Sequence, residues 1–273
     1  MQNPITYQIQ NLFRYRHKTH KVKGAAYKLH NHSGYEIFIL IKGNATFMVE
    51  GTSYALRPED IIITRSDEMH EIVYNTNAEY ERIVIHLEDA FFENYDCVHY
   101  TEIFKKRKSG QNNLLDRDSA KSSELFETLA RLEKYIELKN DKNRAVIKSA
   151  MIELLHQLND FKTAEGLIQN EAVKSVIEYI NENISENLAL DLLAEKFFIS
   201  KYHLCRSFKK HTGFTVTQYI TFRRIMKTKE LHASGKNLSD ASMEAGFSSY
   251  SNFYKAFVKE TGHAPSEGLC TKG

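Results

Sequence analysis

Residues 188 to 262 contain one helical unit written twice. The first copy, LALDLLAEKFFISKYHLCRSFKKHTG, carries Ala194 in a short helix, then Ser200, then Leu204 and Phe208 four apart, then a basic pair and Gly213. The second copy, NLSDASMEAGFSSYSNFYKAFVKETG, repeats that order with Ser242, Ser249, Phe253, Phe257, Lys259 and Gly262. Leu204 and Phe253, like Phe208 and Phe257, lie 49 residues apart, which marks an internal duplication. Two short helices joined by a tight turn, the second with a basic outer face, form a helix-turn-helix whose second helix fits the major groove of DNA. A chain that carries two such units has two groove-reading helices to place.

Charge supports the same reading. The chain as a whole is nearly balanced, at +2, but residues 200 to 236 hold nine Lys or Arg against one acid, Glu230. Beside two groove-reading helices this local excess is the footprint of a phosphate-binding surface, although a solvated helix face gives the same count. Cys97, Cys205 and Cys270 lie far apart and form neither a paired framework nor a CxxC motif, so a reducing, cytoplasmic setting is expected. The first residues, MQNPITYQIQNLFRYRHK, lack the apolar core of a signal peptide, and no run of about 18 apolar residues occurs, so a soluble protein that does not span a membrane is expected.

The 273 residues suit two domains. Residues 21 to 88 read as strands: YEIFILI, ATFMVE, DIIIT, EIVY and ERIVIHL, with turn signals at Lys42-Gly43-Asn44, Glu50-Gly51 and Arg57-Pro58-Glu59-Asp60. That spacing predicts a small β-barrel or sandwich over 1–115. Beyond it the period changes. Leu125, Leu129, Leu132 and Ile136 make one helical stripe, and Val146, Ala150, Met151, Leu154, Leu155 and Leu158 another, predicting a helical hairpin over 116–160. One stripe is expected against the barrel; the other is a candidate dimer face, with Leu129 and Leu132 as the positions to test. Residues 161–170 read as a polar linker, and 171–273 as an all-α DNA-binding domain. The fold class is therefore α+β, in two domains.

Within 171–273, a helix over about 216–234 separates the two copies, and Gly235 sits where a helix stop belongs. At 1.5 Å per residue it spans close to ~30 Å, comparable with one ~34 Å turn of DNA, so the two second helices can enter successive major grooves. The runs SKYHLCRSFKKHTGFTVTQYI, FRRIMKTKELH and AGFSSYSNFYKAFVKETGHAPSE closely resemble the signature of the AraC/XylS family of bacterial transcription regulators, over about 100 C-terminal residues. The resemblance implies two helix-turn-helix units joined by a long helix, binding promoter DNA, with a homodimer and RNA polymerase as expected partners. Leu204, Phe208, Phe253 and Phe257 face inward on this reading. Outward lie Lys201, Tyr202, Cys205 and Arg206, flanked by His203 and Lys209, and in the second unit Tyr250, Ser251, Asn252 and Lys255. Arg206 suits bidentate pairing with guanine or a phosphate clamp, and Asn252 suits adenine. The second unit departs from the family at Ala241-Ser242 and in its PSEGLCTKG ending, which predicts a less stable, less specific copy.

From Gly24 to Gly43 the chain resembles the first motif of the cupin superfamily, small β-barrels in which two His and a Glu can bind a divalent metal. The second motif is partial, with Asp60 where Gly is usual and His70 late. The resemblance implies two openings. His30, His32, Glu36 and His70 would form a metal set suited to Fe, Mn, Ni or Zn, or the same residues, with Tyr27, Phe38 and Phe47, would wall an effector pocket that needs no cofactor. Tyr35 and Tyr54 are further aromatic candidates. The basic stretch Asn11 to Lys23 is either an N-terminal arm or a first strand with a solvated face. The leading expectation is a sequence-specific transcription regulator, not an enzyme, whose barrel senses a small molecule of unidentified structure. The alternatives are a metal-dependent cupin enzyme fused to a DNA-binding domain and a sequence-indifferent architectural DNA binder.

Overall fold

The computed structural model describes residues 4–21, 34–66, 68–74, 79–164, 166–168 and 171–268, and the chain divides into two compact units, 1–168 and 169–273. Tyr27, His30 and His32 lie outside the described residues.

Unit 1 is built on two sheets. Strands β1 (Ile5–Ile9), β2 (Phe13–Lys21), β3 (Tyr35–Lys42), β6 (Ile61–Arg65) and β8 (Glu79–Leu87) belong to the larger, with the short β9 (Leu114–Leu115) and β10 (Thr163–Ala164), in the order β1-β2-β8-β3-β6-β9-β10. Strands β4 (Ala45–Val49), β5 (Thr52–Leu56), β7 (His70–Tyr74) and β11 (Leu167–Ile168) form the smaller, ordered β11-β5-β4-β7. The turn signal Glu50-Gly51 joins β4 to β5 with left-handed φ at both residues, 47° and 82°, the conformation a type I′ hairpin requires. Within the stretch read from composition as linker, Thr163–Ala164 and Leu167–Ile168 run as β10 and β11 on the edges of the two sheets.

Strand β3 explains its own composition. YEIFILIK is apolar almost throughout because both faces are covered. Ile37 and Ile39, with Tyr15 on β2 and Ile83 and Ile85 on β8, form an outer layer buried against helices. Phe38 and Leu40, with Phe47, Tyr54, Ile72 and Val84, fill the interior between the sheets. The helices of that outer layer are α1 (Asp89–Asn94), α2 (Glu102–Lys105), α3 (Arg117–Ser122) and a hairpin of α4 (Leu125–Glu137) and α5 (Arg144–Asn159). Most of both hairpin stripes is spent within this unit: Leu129 and Leu132, with Met151, Leu154 and Leu155, sit in the same core as the sheet, while Val146 of the second stripe is exposed. Leu129 and Leu132, the positions named for a dimer face, are buried within this unit.

Unit 2 is all helical: α6 (Glu171–Glu182), α7 (Leu190–Lys196), α8 (Lys201–Thr212), α9 (Val216–Ala233), α10 (Leu238–Glu244), α11 (Tyr250–Thr261) and the short α12 (Pro265–Gly268). Helix α9 is tied on both sides. Its Tyr219 stacks edge-on against Phe208 of α8 and donates a hydrogen bond to Asn181 Oδ1, 3.0 Å away. Its Ile225 packs with Phe247, Phe253 and Phe257 of the second copy.

Candidate nucleic-acid interface and effector pocket

The second helix of each repeat is built by the same local chemistry. Ser200 caps α8 by accepting from the His203 N–H at 3.2 Å, and Ser249 caps α11 by accepting from Asn252 N–H at 3.2 Å, each satisfying a donor that a helix start leaves open. Each helix then stops at a left-handed glycine, Gly213 (φ 79°) and Gly262 (φ 77°). The apolar pairs Leu204/Phe208 and Phe253/Phe257 are buried. The opposite faces are open: Lys201, Tyr202, His203, Arg206 and Lys209 are exposed on α8, with Cys205 half-buried, and Tyr250, Ser251, Asn252 and Lys255 are exposed on α11. Tyr254, which the sequence reading passed over, stands exposed beside them; its position one turn after Tyr250 was the available signal. Helix α9, 18 residues long, spans about 27 Å between the two repeats.

Two of the proposed contacts are already engaged. Asn252 Nδ2 donates to Ser248 Oγ at 2.8 Å, and Lys201 Nζ lies 2.9 Å from an Asp191 carboxylate oxygen. The basic stretch 200–236 is also less outward than its count suggests. Arg224 donates to the Ile184 and Glu186 carbonyls at 3.0 and 2.6 Å, and its guanidinium pKa is lowered by burial. Lys229 lies over the Phe257 ring at 5.4 Å, and burial lowers its ammonium pKa as well. These two cations are structural, holding α9 to the segment between α6 and α7 and to α11.

The turns of the repeats differ. Helices α7 and α10 start at 190 and 238, whereas α8 and α11 start at 201 and 250, so the second turn is one residue longer. At the second position after the first helix the chain has Phe198 (φ 54°) in one copy and Gly246 (φ 94°) in the other. Ser242, at the position of Ala194 in the first copy, is fully buried and donates to the Ser239 carbonyl at 2.8 Å, so its hydroxyl is satisfied inside the second repeat.

In unit 1 a cavity of about 110 Å³ lies between the two sheets. From the larger sheet it is lined by Arg16 and Lys18 of β2, Glu36 and Phe38 of β3, and Arg82, Val84 and His86 of β8; from the smaller, by Phe47, His70 and Ile72. Four residues expected in an effector pocket, Glu36, Phe38, Phe47 and His70, therefore share one cavity. Phe38 and Phe47 meet at 5.0 Å between ring centroids, and His70 stacks on Phe47 at 5.6 Å. Tyr35 and Tyr54 do not join them. Tyr35 faces the helices, donating to Asp89 at 2.9 Å, and Tyr54 donates to the Gly110 carbonyl at 3.1 Å. Arg16, Lys18, Arg82 and His86 were missed. They arrive by cross-strand register, Lys18 opposite Arg82 and Glu36 opposite His86. From the stretch Asn11 to Lys23, whose described part is largely β2, Arg16 and Lys18 line this cavity, with Arg16 also exposed to solvent.

Glu36 sets the polar end of the cavity. Its Oε1 faces His70 Nε2 at 3.7 Å and its Oε2 faces His86 Nε2 at 3.5 Å. The carboxylate thus stands between two imidazoles, and among the described residues no three such donors converge on a metal position. The set His30, His32, Glu36 and His70 falls partly outside the described residues.

Comparison with known proteins places both units. A family model described as an AraC-like ligand binding domain matches residues 16–155, and one described as a helix-turn-helix domain matches 193–269. The chain is 21% identical over 257 residues to the transcriptional activator RhaS of Enterobacter sp. (strain 638), covering 89% of this chain and 87% of that protein. It is 32% identical over 98 residues to the regulatory protein SoxS of Salmonella typhimurium, covering 36% of this chain and 92% of SoxS. Among solved structures, ToxT of Vibrio cholerae aligns over 94% of this chain and 98% of its own at 15% identity, with a TM-score of 0.38. Among the described residues no helix is long and apolar enough to cross a membrane. The chain belongs to the AraC family of DNA-binding transcription regulators, with an N-terminal ligand-binding domain and a C-terminal helix-turn-helix domain.

Proposed function

We propose that this regulator reads a promoter with α8 and α11 in successive major grooves and answers to a small effector bound between the two sheets of unit 1. The observation that carries the DNA half is the matched pair of helices, each capped by a serine, stopped by a glycine, buried on one face and open on the other. On this reading Arg206 reads guanine, Asn252 exchanges Ser248 for adenine, and Lys201, Lys209 and Lys255 contact phosphate. Tyr202, His203, Cys205, Tyr250 and Ser251 complete the two faces.

The cavity supports the effector half. An effector changes transcription only through unequal affinity for two states of the protein, so the reading requires linked binding. The experiment is operator binding by the full chain, from a footprinted upstream site, with random DNA as competitor and with and without candidate effectors. Equal affinity for operator and random DNA at physiological salt overturns the reading. A cytoplasmic setting, a homodimer and contact with RNA polymerase belong to the same proposal, and sedimentation of the free and DNA-bound protein reads the second of these. The divalent-metal alternative predicts stoichiometric metal in purified protein and its loss on His70→Ala, while the effector reading needs no cofactor.

A further inference from the structure

We propose that Tyr250 and Tyr254 of α11 read the methyl groups of two thymines in the major groove, so that the half-site under α11 is selected by apolar contact and the half-site under α8 chiefly by charged groups. The inference rests on the reading above that both helices enter the groove, and adds what the second one recognises.

The duplication isolates the difference between the two helices. At the offset of 49 residues, Lys201, Cys205 and Lys209 of α8 stand where α11 has Tyr250, Tyr254 and Val258. Residues four apart form one row along a helix, so this row is cationic at both ends in the first copy and carries no charge in the second. Over the whole helices, α8 holds Lys201, Arg206, Lys209 and Lys210 with no acid, whereas α11 holds Lys255 and Lys259 with Glu260. Helix α11 therefore brings a weaker attraction to phosphate and, in its place, two aromatic rings.

Packing leaves those rings available. Tyr250 and Tyr254 are 38% and 43% exposed, with ring centroids 6.4 Å apart. The Tyr250 ring also lies 5.8 Å from the buried Phe253, so the core supports one side of it while the other stays open. The thymine methyl is the apolar group that the major groove displays, and a tyrosine covers it with a large ring whose ordering fixes only two side-chain torsions. A separation of 6.4 Å is close to two base steps of ~3.4 Å, which sets the two thymines one base pair apart. Asn252 on the same helix suits adenine, whose pairing partner carries the methyl, so both chemistries of α11 favour A·T pairs.

The test uses the full chain on its footprinted operator, with each thymine replaced in turn by uracil, which keeps the base pairing and removes only the methyl. Wild type is expected to lose about threefold in affinity at each of two positions, the order set by burying one methyl group. Tyr254→Ala is expected to abolish the response at one of these positions and Tyr250→Ala at the other, each without changing the salt slope, whereas Lys209→Ala lowers that slope by about one. Tyr254→Phe, which keeps the ring and drops the hydroxyl, should respond to uracil as wild type does. Should an alanine variant fail to fold, a glutamine at the same position keeps the bulk without the ring and takes its place. Specific binding with no uracil-sensitive position, or with sensitivity that survives both tyrosine substitutions, overturns the assignment while the groove reading stands. A Tyr254→Phe variant that loses as much affinity as Tyr254→Ala also overturns it, since the hydroxyl would then make the contact. An operator bound no better than random DNA overturns both readings.

Discussion

The Nδ1 atom of His17 on β2 lies 2.5 Å from Glu133 Oε1 on α4, so one imidazole ties the outer face of the larger sheet to the helical hairpin. Its Nε2 lies 2.8 Å from Glu81 Oε1 on β8, and the buried Tyr15 donates to the same Glu133 oxygen at 3.1 Å. The hydrogen bond to Glu133 raises the His17 pKa above its ordinary 6.5; burial works the other way, and the Glu133 charge and Glu81 add to the rise. A raised folded-state pKa stabilises the fold fully below the unfolded value, about 6.5, and that contribution fades as pH climbs through the folded pKa. Unit 1 is thus expected to lose stability between mildly acidic and alkaline pH through this residue. Denaturant unfolding of wild type and His17→Gln should show the wild-type advantage shrinking as pH rises from about 6. An advantage that stays constant or grows sinks the assignment.

Glu68 and Arg107 form an almost fully buried ion pair at 2.5 Å. Glu68 also accepts from the Gly110 N–H at 2.8 Å and from Asn113 Nδ2 at 3.2 Å. Removing one partner of such a pair leaves a buried charge uncompensated, which costs about 3 to 5 kcal/mol. Arg107→Ala should lower unit 1 stability by that amount in denaturant titration, and a loss below about 1 kcal/mol would show that the pair is dispensable.

In unit 2, Arg206 and Lys255 occupy the open faces of α8 and α11. If α8 reads bases and α11 chiefly positions the domain, Arg206→Ala should erase about 1 to 3 kcal/mol of sequence discrimination. Lys255→Ala should weaken operator and random DNA alike and lower the salt slope by about one. Footprinted-operator titrations showing the opposite order would reverse the ranking of the two helices.

The two repeat turns make a paired stability test. A Cβ at Gly246 would lie 2.8 Å from both Arg224 Nε and the Ile184 carbonyl oxygen, with φ at +94°. Gly246→Ala should therefore cost more than the ~1 to 2 kcal/mol of left-handed strain alone. Phe198, at φ 54° and 95% exposed, carries that strain with almost no burial to offset it. Phe198→Gly should stabilise unit 2 by up to about 1 kcal/mol in thermal unfolding. A fall in melting temperature would mean that Phe198 makes a contact worth more than the strain.

Much of unit 2 was legible because its determinants are local. Ser200 and Ser249 reach amides three residues ahead, and Gly213 and Gly262 act at the next residue after a helix, so order and spacing along the chain suffice. The stripe Leu125, Leu129, Leu132 and Ile136 was equally readable as a helix face. What it packs against was not, since an apolar face looks the same whether a sheet or a second molecule covers it. The count of cations over 200–236 likewise gave no warning that Arg224 and Lys229 turn inward, because that depends on carbonyls and rings brought from other helices.

The amino-acid order alone determined the duplicated capped helices and the apolar stripe Leu125 to Ile136, features of short-range hydrogen bonding and side-chain periodicity, whereas helices α1 and α2, which begin at Asp89, carried no readable signal, and Glu36 and His70 became candidates only through the cupin resemblance. Only the tertiary structure decided that Arg16, Lys18, Arg82 and His86 share a cavity with them, and that Leu129 and Leu132 are interior. Strand register between β2 and β8 joins residues 58 to 74 positions apart. It is set by the simultaneous burial of both faces of the larger sheet, a condition that no window of local sequence contains.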